Sequence, residues 1–269
     1  IKGQPAKFLY IPYTQNGDDF KRTGLRLKPG LAPSGGGQNA NQWTMIVDVY
    51  WGDGSANGTL LRTHDLAQAN DGDLFWQGGN FGQGTDGYKG TGAFTAGEWH
   101  RVVAAYDMTA NPPRVTKYVD GIFQDDWTTG QSLDNPRRAL LPTAILFADG
   151  DQDERREMWV NSIQIRSGKL SDAQIAALGG PAASGLPIAT PSSTVTGQWD
   201  FNFADLGASV GTALTYLDGP EGLTKTGTKF GLKGEGDFAS VPNIGTSPAQ
   251  VMYVPGDLDR NIGYVMEHL

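Results

Sequence analysis

The sequence of 269 residues contains no cysteine and only three histidines. The absence of cysteine excludes disulfides, thiolate metal sites and a cysteine nucleophile. Long apolar runs are also missing, because no stretch approaches the ~18 consecutive apolar residues that a membrane span needs. We therefore predict that no segment of this sequence crosses a membrane.

Positive charge is scarce as well. The chain carries 21 Lys and Arg against 29 Asp and Glu, which gives a formal net charge of -8. Nucleic acids and anionic membrane surfaces bind clustered Lys and Arg side chains. The charge balance therefore argues against nucleic acid as a partner.

Recognisable catalytic motifs are missing too. The sequence contains no HExxH zinc motif and no Gly-x-Ser-x-Gly elbow, and His64, His100 and His268 lie far apart. No predicted strand carries the paired carboxylates that glycosidases use. The sequence favours a non-catalytic protein. A sandwich-fold polysaccharide hydrolase or lyase stays open as an alternative, since catalytic triads assemble from distant residues.

Glycine, proline and aromatic residues are abundant, with 38 Gly, 15 Pro and 10% aromatic residues. This composition is typical of many short strands joined by tight turns. The clearest strand runs from Trp43 to Trp51, where every odd-numbered residue is apolar and predicts a core face. A short helix is predicted after Ser171, which forms a capping box with Gln174, and it ends at Gly179. We count about ten strands before Pro181 and predict an all-β fold, a two-sheet antiparallel jelly-roll sandwich with one short C-terminal helix.

The small, uncharged and Pro- and Ser-rich segment 182–196 predicts a linker. Residues 5–12 and 248–255 match in the positions of Pro, Ala, Tyr and Pro, which indicates an internal repeat. We therefore assign residues 1–181 to a sandwich that lacks its opening strands, and residues 197–269 to the opening strands of a second repeat. The second segment would complete the first sandwich within one chain or between neighbours. Alternatively, all 269 residues form one larger sandwich.

Six segments, read together, resemble the laminin-G-like, concanavalin A-like jelly-roll domain of bacterial secreted proteins. They are GEWHRVV (97–103), KYVDG (117–121), VNSIQI (160–165), LSDAQI (170–175), LGGP (178–181) and GQWDF (197–201). The resemblance implies a two-sheet sandwich, often with calcium, that serves as an accessory carbohydrate-binding or adhesive module of an extracellular or cell-surface protein. The sequence departs from the family at its start, where the opening Trp-Asp-Phe strand does not precede Ile1.

Alternating carboxylates after Ala148 predict a metal site. Calcium takes six to eight oxygen ligands, and a loop with a glycine supplies them from side chains and backbone carbonyls. We predict Ca²⁺ as the cofactor, with ligands among Asp149, Asp151, Asp153 and Glu154. A solvated charged hairpin neutralised by Arg155 and Arg156 is the alternative.

Aromatic rings near the Gly-rich segment predict a sugar site, because pyranose faces are apolar and their rims carry hydroxyl groups. The candidate ligand-binding residues are Trp76, Tyr88, Phe81, Arg62 and Trp127. Four further tryptophans that lie in strand patterns, Trp43, Trp51, Trp99 and Trp159, are expected to be structural. We predict a secreted or cell-surface bacterial module that binds a glycan or another surface ligand. The alternative is an adhesive tandem-repeat unit that associates with itself or with other proteins through its repeat strands.

Overall fold

Residues 1–13, 24–52, 57–65, 72–84, 86–128, 132–149, 156–187, 195–199, 207–216 and 265–268 are described by the structure, which is a computed structural model. These ranges hold fifteen strands and one helix. In chain order they are β1 (Ala6–Ile11), β2 (Leu25–Leu27), β3 (Gln42–Trp51), β4 (Gly58–Arg62), β5 (Leu74–Gln77), β6 (Asn80–Gln83), β7 (Gly87–Lys89), β8 (Trp99–Asp107), β9 (Arg114–Val119), β10 (Ile122–Thr128), β11 (Ala144–Leu146), β12 (Met158–Ser167), α1 (Asp172–Leu178), β13 (Val195–Trp199), β14 (Thr215–Tyr216) and β15 (Val265–His268).

The strands form two antiparallel sheets, as predicted. Sheet A has the order β10-β9-β8-β3-β12-β1-β15, with β13 also paired to β12. Sheet B has the order β14-β2-β11-β4-β5-β6-β7. The chain is therefore an all-β jelly-roll sandwich with one short helix. Within the described ranges, no helix has the length and apolarity that crossing a membrane requires.

The two faces of β3 show how the sandwich is filled. Its odd-numbered residues, from Trp43 to Trp51, all lie in the main core between the sheets, which confirms the sequence prediction. Trp43 is fully buried, stacks on Tyr106 at 4.0 Å between ring centroids, and donates from its indole nitrogen to the carbonyl of Arg138 at 3.0 Å. Its even-numbered neighbours point away from the core. These too are buried, because other parts of the chain cover the outer face of sheet A.

Helix α1 provides part of that cover. The capping box is present: the Ser171 hydroxyl accepts from the backbone of Gln174, and the Gln174 side chain accepts from the backbone of Ser171. Ile175 is the buried residue of the helix and packs in a second apolar cluster against Ile46 and Tyr118 of sheet A. The helix therefore docks on the outside of the sandwich and closes a small core of its own.

Strands from the last part of the chain pair with both sheets. β13 lies against residues 163–166 of β12, and β1 lies end to end with it against residues 158–160. β14 pairs with β2 in sheet B, and β15 pairs with β1 in sheet A. Residues 182–187, at the start of the predicted linker, are packed on sheet A, where the backbone of Leu186 donates to Ser162 at 3.2 Å. The division into a first sandwich, a linker and a second repeat stays a prediction, and the second repeat copy, 248–255, lies outside the described residues.

Candidate functional site

For two of the residues predicted to bind sugar, Trp76 and Phe81, the prediction of an exposed aromatic ring is wrong. Trp76 is 0% exposed and Phe81 is 1% exposed, and both rings pack in the main core. They lie directly opposite each other on β5 and β6, on the face that points between the sheets. Their position beside a Gly-rich segment suggested exposure, but the alternation of the strands turns both rings inward.

Two other predicted residues lie on the outer face of sheet B. Tyr88 is half-buried, and its ring centroid lies 5.4 Å from that of Phe75. Gly82 lies opposite both residues, between them in the sheet, and because it has no side chain the two rings can approach each other. Arg62 lies on the same face but is only 3% exposed. For Trp127, the structure describes the backbone in β10 and not the side chain. Sugar binding by Tyr88 stays a prediction.

The predicted calcium loop is described only at its first residue. Asp149 follows β11 closely and is 1% exposed, in line with a positioned carboxylate. Asp151, Asp153 and Glu154 lie outside the described residues. Across the ranges that the structure does describe, no group of three or more His, Asp or Glu side chains can hold a metal ion. Calcium binding therefore stays a prediction.

His100 lies on β8, and its surroundings indicate a structural role. Its Nδ1 lies 2.8 Å from Asp120 Oδ2, and its Nε2 lies 3.0 Å from Thr95 Oγ1. The backbone N–H of Thr95 also points at Nε2, at 3.3 Å, and an N–H can only donate. Nε2 therefore accepts and Nδ1 carries the proton. The imidazole therefore links Thr95 and its loop to Asp120 and β8. A catalytic site of a hydrolase would also have to stabilise a negatively charged transition state, and the Glu98 carboxylate, 3.4 Å from the Thr95 hydroxyl, disfavours a second negative charge there.

A row of four aromatic rings, not foreseen from sequence, crosses the outer face of sheet A. Tyr10, Trp159, Tyr50 and Trp99 lie directly opposite one another on β1, β12, β3 and β8. Successive ring centroids are 5.4, 5.3 and 5.8 Å apart. These distances lie in the range in which aromatic pairs attract. The inner two rings are 6% exposed and the outer two are half-buried, so the row is a rigid support with surface only at its ends.

At the Tyr10 end, the row meets a surface of mixed chemistry that we call the tyrosine surface: Tyr10, Tyr13, Arg156 and Glu157. Tyr13 is 49% exposed, and the guanidinium carbon of Arg156 lies 5.4 Å from its ring centroid. The Tyr10 hydroxyl donates to Glu157 Oε1 at 2.5 Å. Residues 12–13 follow β1 and residues 156–157 precede β12, so the pairing of these two strands brings the four residues together.

The tyrosine surface has the features that sugar recognition needs. An exposed ring offers an apolar face, a guanidinium offers a fork of donors, and an exposed carboxylate offers acceptors. The sequence alone does not predict the tyrosine surface, because Tyr13 and Glu157 are 144 positions apart and neither lies in a motif. Only the register between β1 and β12 shows that they are neighbours.

No family model matches this chain, and no curated protein matches its sequence. Among solved structures, it is similar to a heptameric SAP-like pentraxin from Limulus polyphemus, with 12% identity, a TM-score of 0.43, and coverage of 71% of this chain and 91% of the pentraxin. Domain 4 of an extracellular arabinanase from Geobacillus stearothermophilus, solved with arabinotriose, has 17% identity, a TM-score of 0.40, and coverage of 59% and 73%. The CBM40 of a Ruminococcus gnavus sialidase, bound to α2,3-sialyllactose, has 12% identity, a TM-score of 0.40, and coverage of 53% and 84%. All three TM-scores are below 0.5, so these similarities give no information on the function of this chain.

Proposed function

We propose that this chain is a non-catalytic carbohydrate-binding module that holds its glycan on the tyrosine surface. The observation that carries the proposal is the exposed Tyr13 ring beside Arg156 and Glu157, next to an aromatic row that holds Tyr10 in place. Because the row already orders Tyr10, that side chain loses little conformational entropy when a sugar contacts it beside Tyr13. We expect such a module to be part of a secreted or cell-surface protein, because extracellular polysaccharides are accessible to proteins of that kind.

Replacing Tyr13 with alanine is expected to weaken glycan binding at least about tenfold, because truncating a central aromatic contact removes ~1.4 kcal/mol or more of binding free energy. The measurement is a glycan array followed by isothermal titration with the best ligand. Phe123→Ala is the matched control, since Phe123 is 50% exposed on β10 at the far side of sheet A. Equal binding by wild type and Tyr13→Ala would contradict the site, and loss of binding in Tyr88→Ala alone would move it to sheet B.

The adhesive alternative is favoured by one described feature, the tip of the hairpin between β9 and β10. Ile122 is 66% exposed and Phe123 is 50% exposed, next to each other and to helix α1. Exposed apolar side chains of this kind are typical of protein contacts. An empty glycan array, together with self-association that Phe123→Ala abolishes, would favour this function over sugar binding.

Calcium is proposed as a structural ion of the loop that begins at Asp149. Excess Ca²⁺ is then expected to raise the melting temperature over that in EDTA by about 5 to 10 °C, which corresponds to ~2.7 kcal/mol at a hundredfold excess over Kd. The Asp149→Asn variant is expected to lose this increment, because it removes one anionic ligand. Superimposable wild-type melting curves in calcium and in EDTA would remove the ion from the proposal.

A further inference from the structure

Glu157 is the carboxylate residue among the four described residues of the tyrosine surface. The position of its carboxylate affects which glycans can bind there. One oxygen, Oε1, accepts the Tyr10 hydroxyl at 2.5 Å, and the residue is otherwise exposed to solvent. We propose that Glu157 makes the tyrosine surface selective for uncharged glycans over their carboxylated counterparts. This inference rests on the proposed function and goes further by naming the ligand class and the residue that selects it.

The first argument is the chemistry of an ionised carboxylate, which accepts hydrogen bonds and cannot donate them. Sugar hydroxyls can donate to Glu157, and hydrogen bonds to a charged acceptor are among the strong ones. A uronate or sulfate brings only acceptors and a second negative charge to the same place. An anionic group at this position therefore cannot donate a hydrogen bond to Glu157, and its negative charge is repelled by the Glu157 carboxylate.

The second argument is that Glu157 is held in position. Its partner Tyr10 is packed against Trp159 at 5.4 Å between ring centroids, and Trp159 against Tyr50 at 5.3 Å. These rings lie on three adjacent strands of sheet A. A carboxylate tied to such a support cannot swing away from an approaching anion as a free surface glutamate can.

The third argument is the local charge. The guanidinium of Arg156 is the described cation of this surface, and it lies over the Tyr13 ring. In the sequence, Arg155 directly precedes it, and residues 149–154 before Arg155 contain four carboxylates and no Lys or Arg, so that carboxylates outnumber cations over residues 149–157 by five to two. With a net charge of -8 on the whole chain, long-range electrostatics also disfavours the approach of a polyanion.

The test compares ligands that differ in one group. Cello- and manno-oligosaccharides are titrated calorimetrically into the full chain beside the same oligosaccharides oxidised at C6 to uronates. Wild type is expected to bind the neutral member at least about tenfold more tightly, with little dependence of its affinity on salt. Glu157→Gln is expected to weaken neutral binding about tenfold and to reduce the preference for the neutral member, because it removes both the charged acceptor and the repulsion.

The control is Glu98→Gln, which changes the net charge by the same amount. Glu98 is exposed and precedes β8, three strand positions from β1. It should leave both affinities unchanged, and equal melting temperatures of all variants confirm folding. An unchanged preference in Glu157→Gln, or a wild-type preference for the uronate, overturns the inference and leaves sugar binding intact. Binding of neither ligand class, on these oligosaccharides and on the array, overturns the proposed function together with it.

Discussion

Asp48→Ala is expected to destabilise the sandwich by about 3–5 kcal/mol, because it leaves a guanidinium buried without its counter-ion. Asp48 is fully buried on the outer face of sheet A and binds Arg101 through both oxygens, at 2.7 Å each. Arg101 also donates to the carbonyl of Leu178, the last residue of α1, at 2.7 Å. Loss of the pair therefore also loosens the docking of the helix. Chemical denaturation at neutral pH measures the effect.

The net contribution of the Asp48–Arg101 ion pair to the stability of the fold is smaller than the cost of removing one of its two partners. Burial raises the pKa of Asp48, although the hydrogen bond and charge of Arg101 act in the opposite direction. The desolvation cost thus outweighs much of the attraction, as is common for buried ion pairs. Replacing both partners, with Asp48→Leu and Arg101→Met, is expected to cost far less than Asp48→Ala alone.

An exposed ion pair provides the control. Arg26 and Asp65 lie 3.5 Å apart, with side chains 42% and 34% exposed, and Asp65→Ala is expected to cost less than about 1 kcal/mol. A cost for Asp48→Ala no larger than that of Asp65→Ala would show that the Asp48–Arg101 pair does not hold the helix to the sheet.

Trp199→Ala is expected to cost about 3–5 kcal/mol, the range for truncating a fully buried aromatic residue. Trp199 ends β13, is 0% exposed, and packs in the same core as Trp43 and Leu214. Its indole nitrogen donates to the carbonyl of Thr212 at 3.0 Å. The residue lies in the segment that the sequence assigns to a second repeat. The melting temperature of this variant therefore tests whether that segment stabilises the sandwich that the sequence assigns to residues 1–181.

Two further variants sharpen this test. A Cβ at Gly197 would lie 2.4 Å from the Trp199 ring, so Gly197→Ala is expected to destabilise by about 1–3 kcal/mol through overpacking. Thr212→Ala changes an exposed side chain of the same segment and keeps the carbonyl, and it should be neutral. If Trp199→Ala and deletion of 197–269 both left the melting temperature unchanged, the segment would belong to another unit.

The strand pattern and the helix caps were readable from local sequence because both depend on neighbours within a few residues. The period of two in β3 predicted its core face, and Ser171 with Gln174 predicted the start of α1. Local pattern did not distinguish the two faces of β5, because Leu74, Phe75 and Trp76 are three consecutive apolar residues. For that reason the sequence predicts an exposed ring at Trp76, which the structure shows to be a core residue.

Composition, alternation and turn residues were thus sufficient to predict an all-β sandwich with a single short helix, since these signals report short-range backbone preferences and burial. The tyrosine surface was decided by tertiary structure alone. Tyr10 meets Glu157, and Trp159 meets Tyr50, through the register of strands that are far apart in the chain. Register is a property of paired strands, and a slip of one residue would turn each of these side chains to the opposite face.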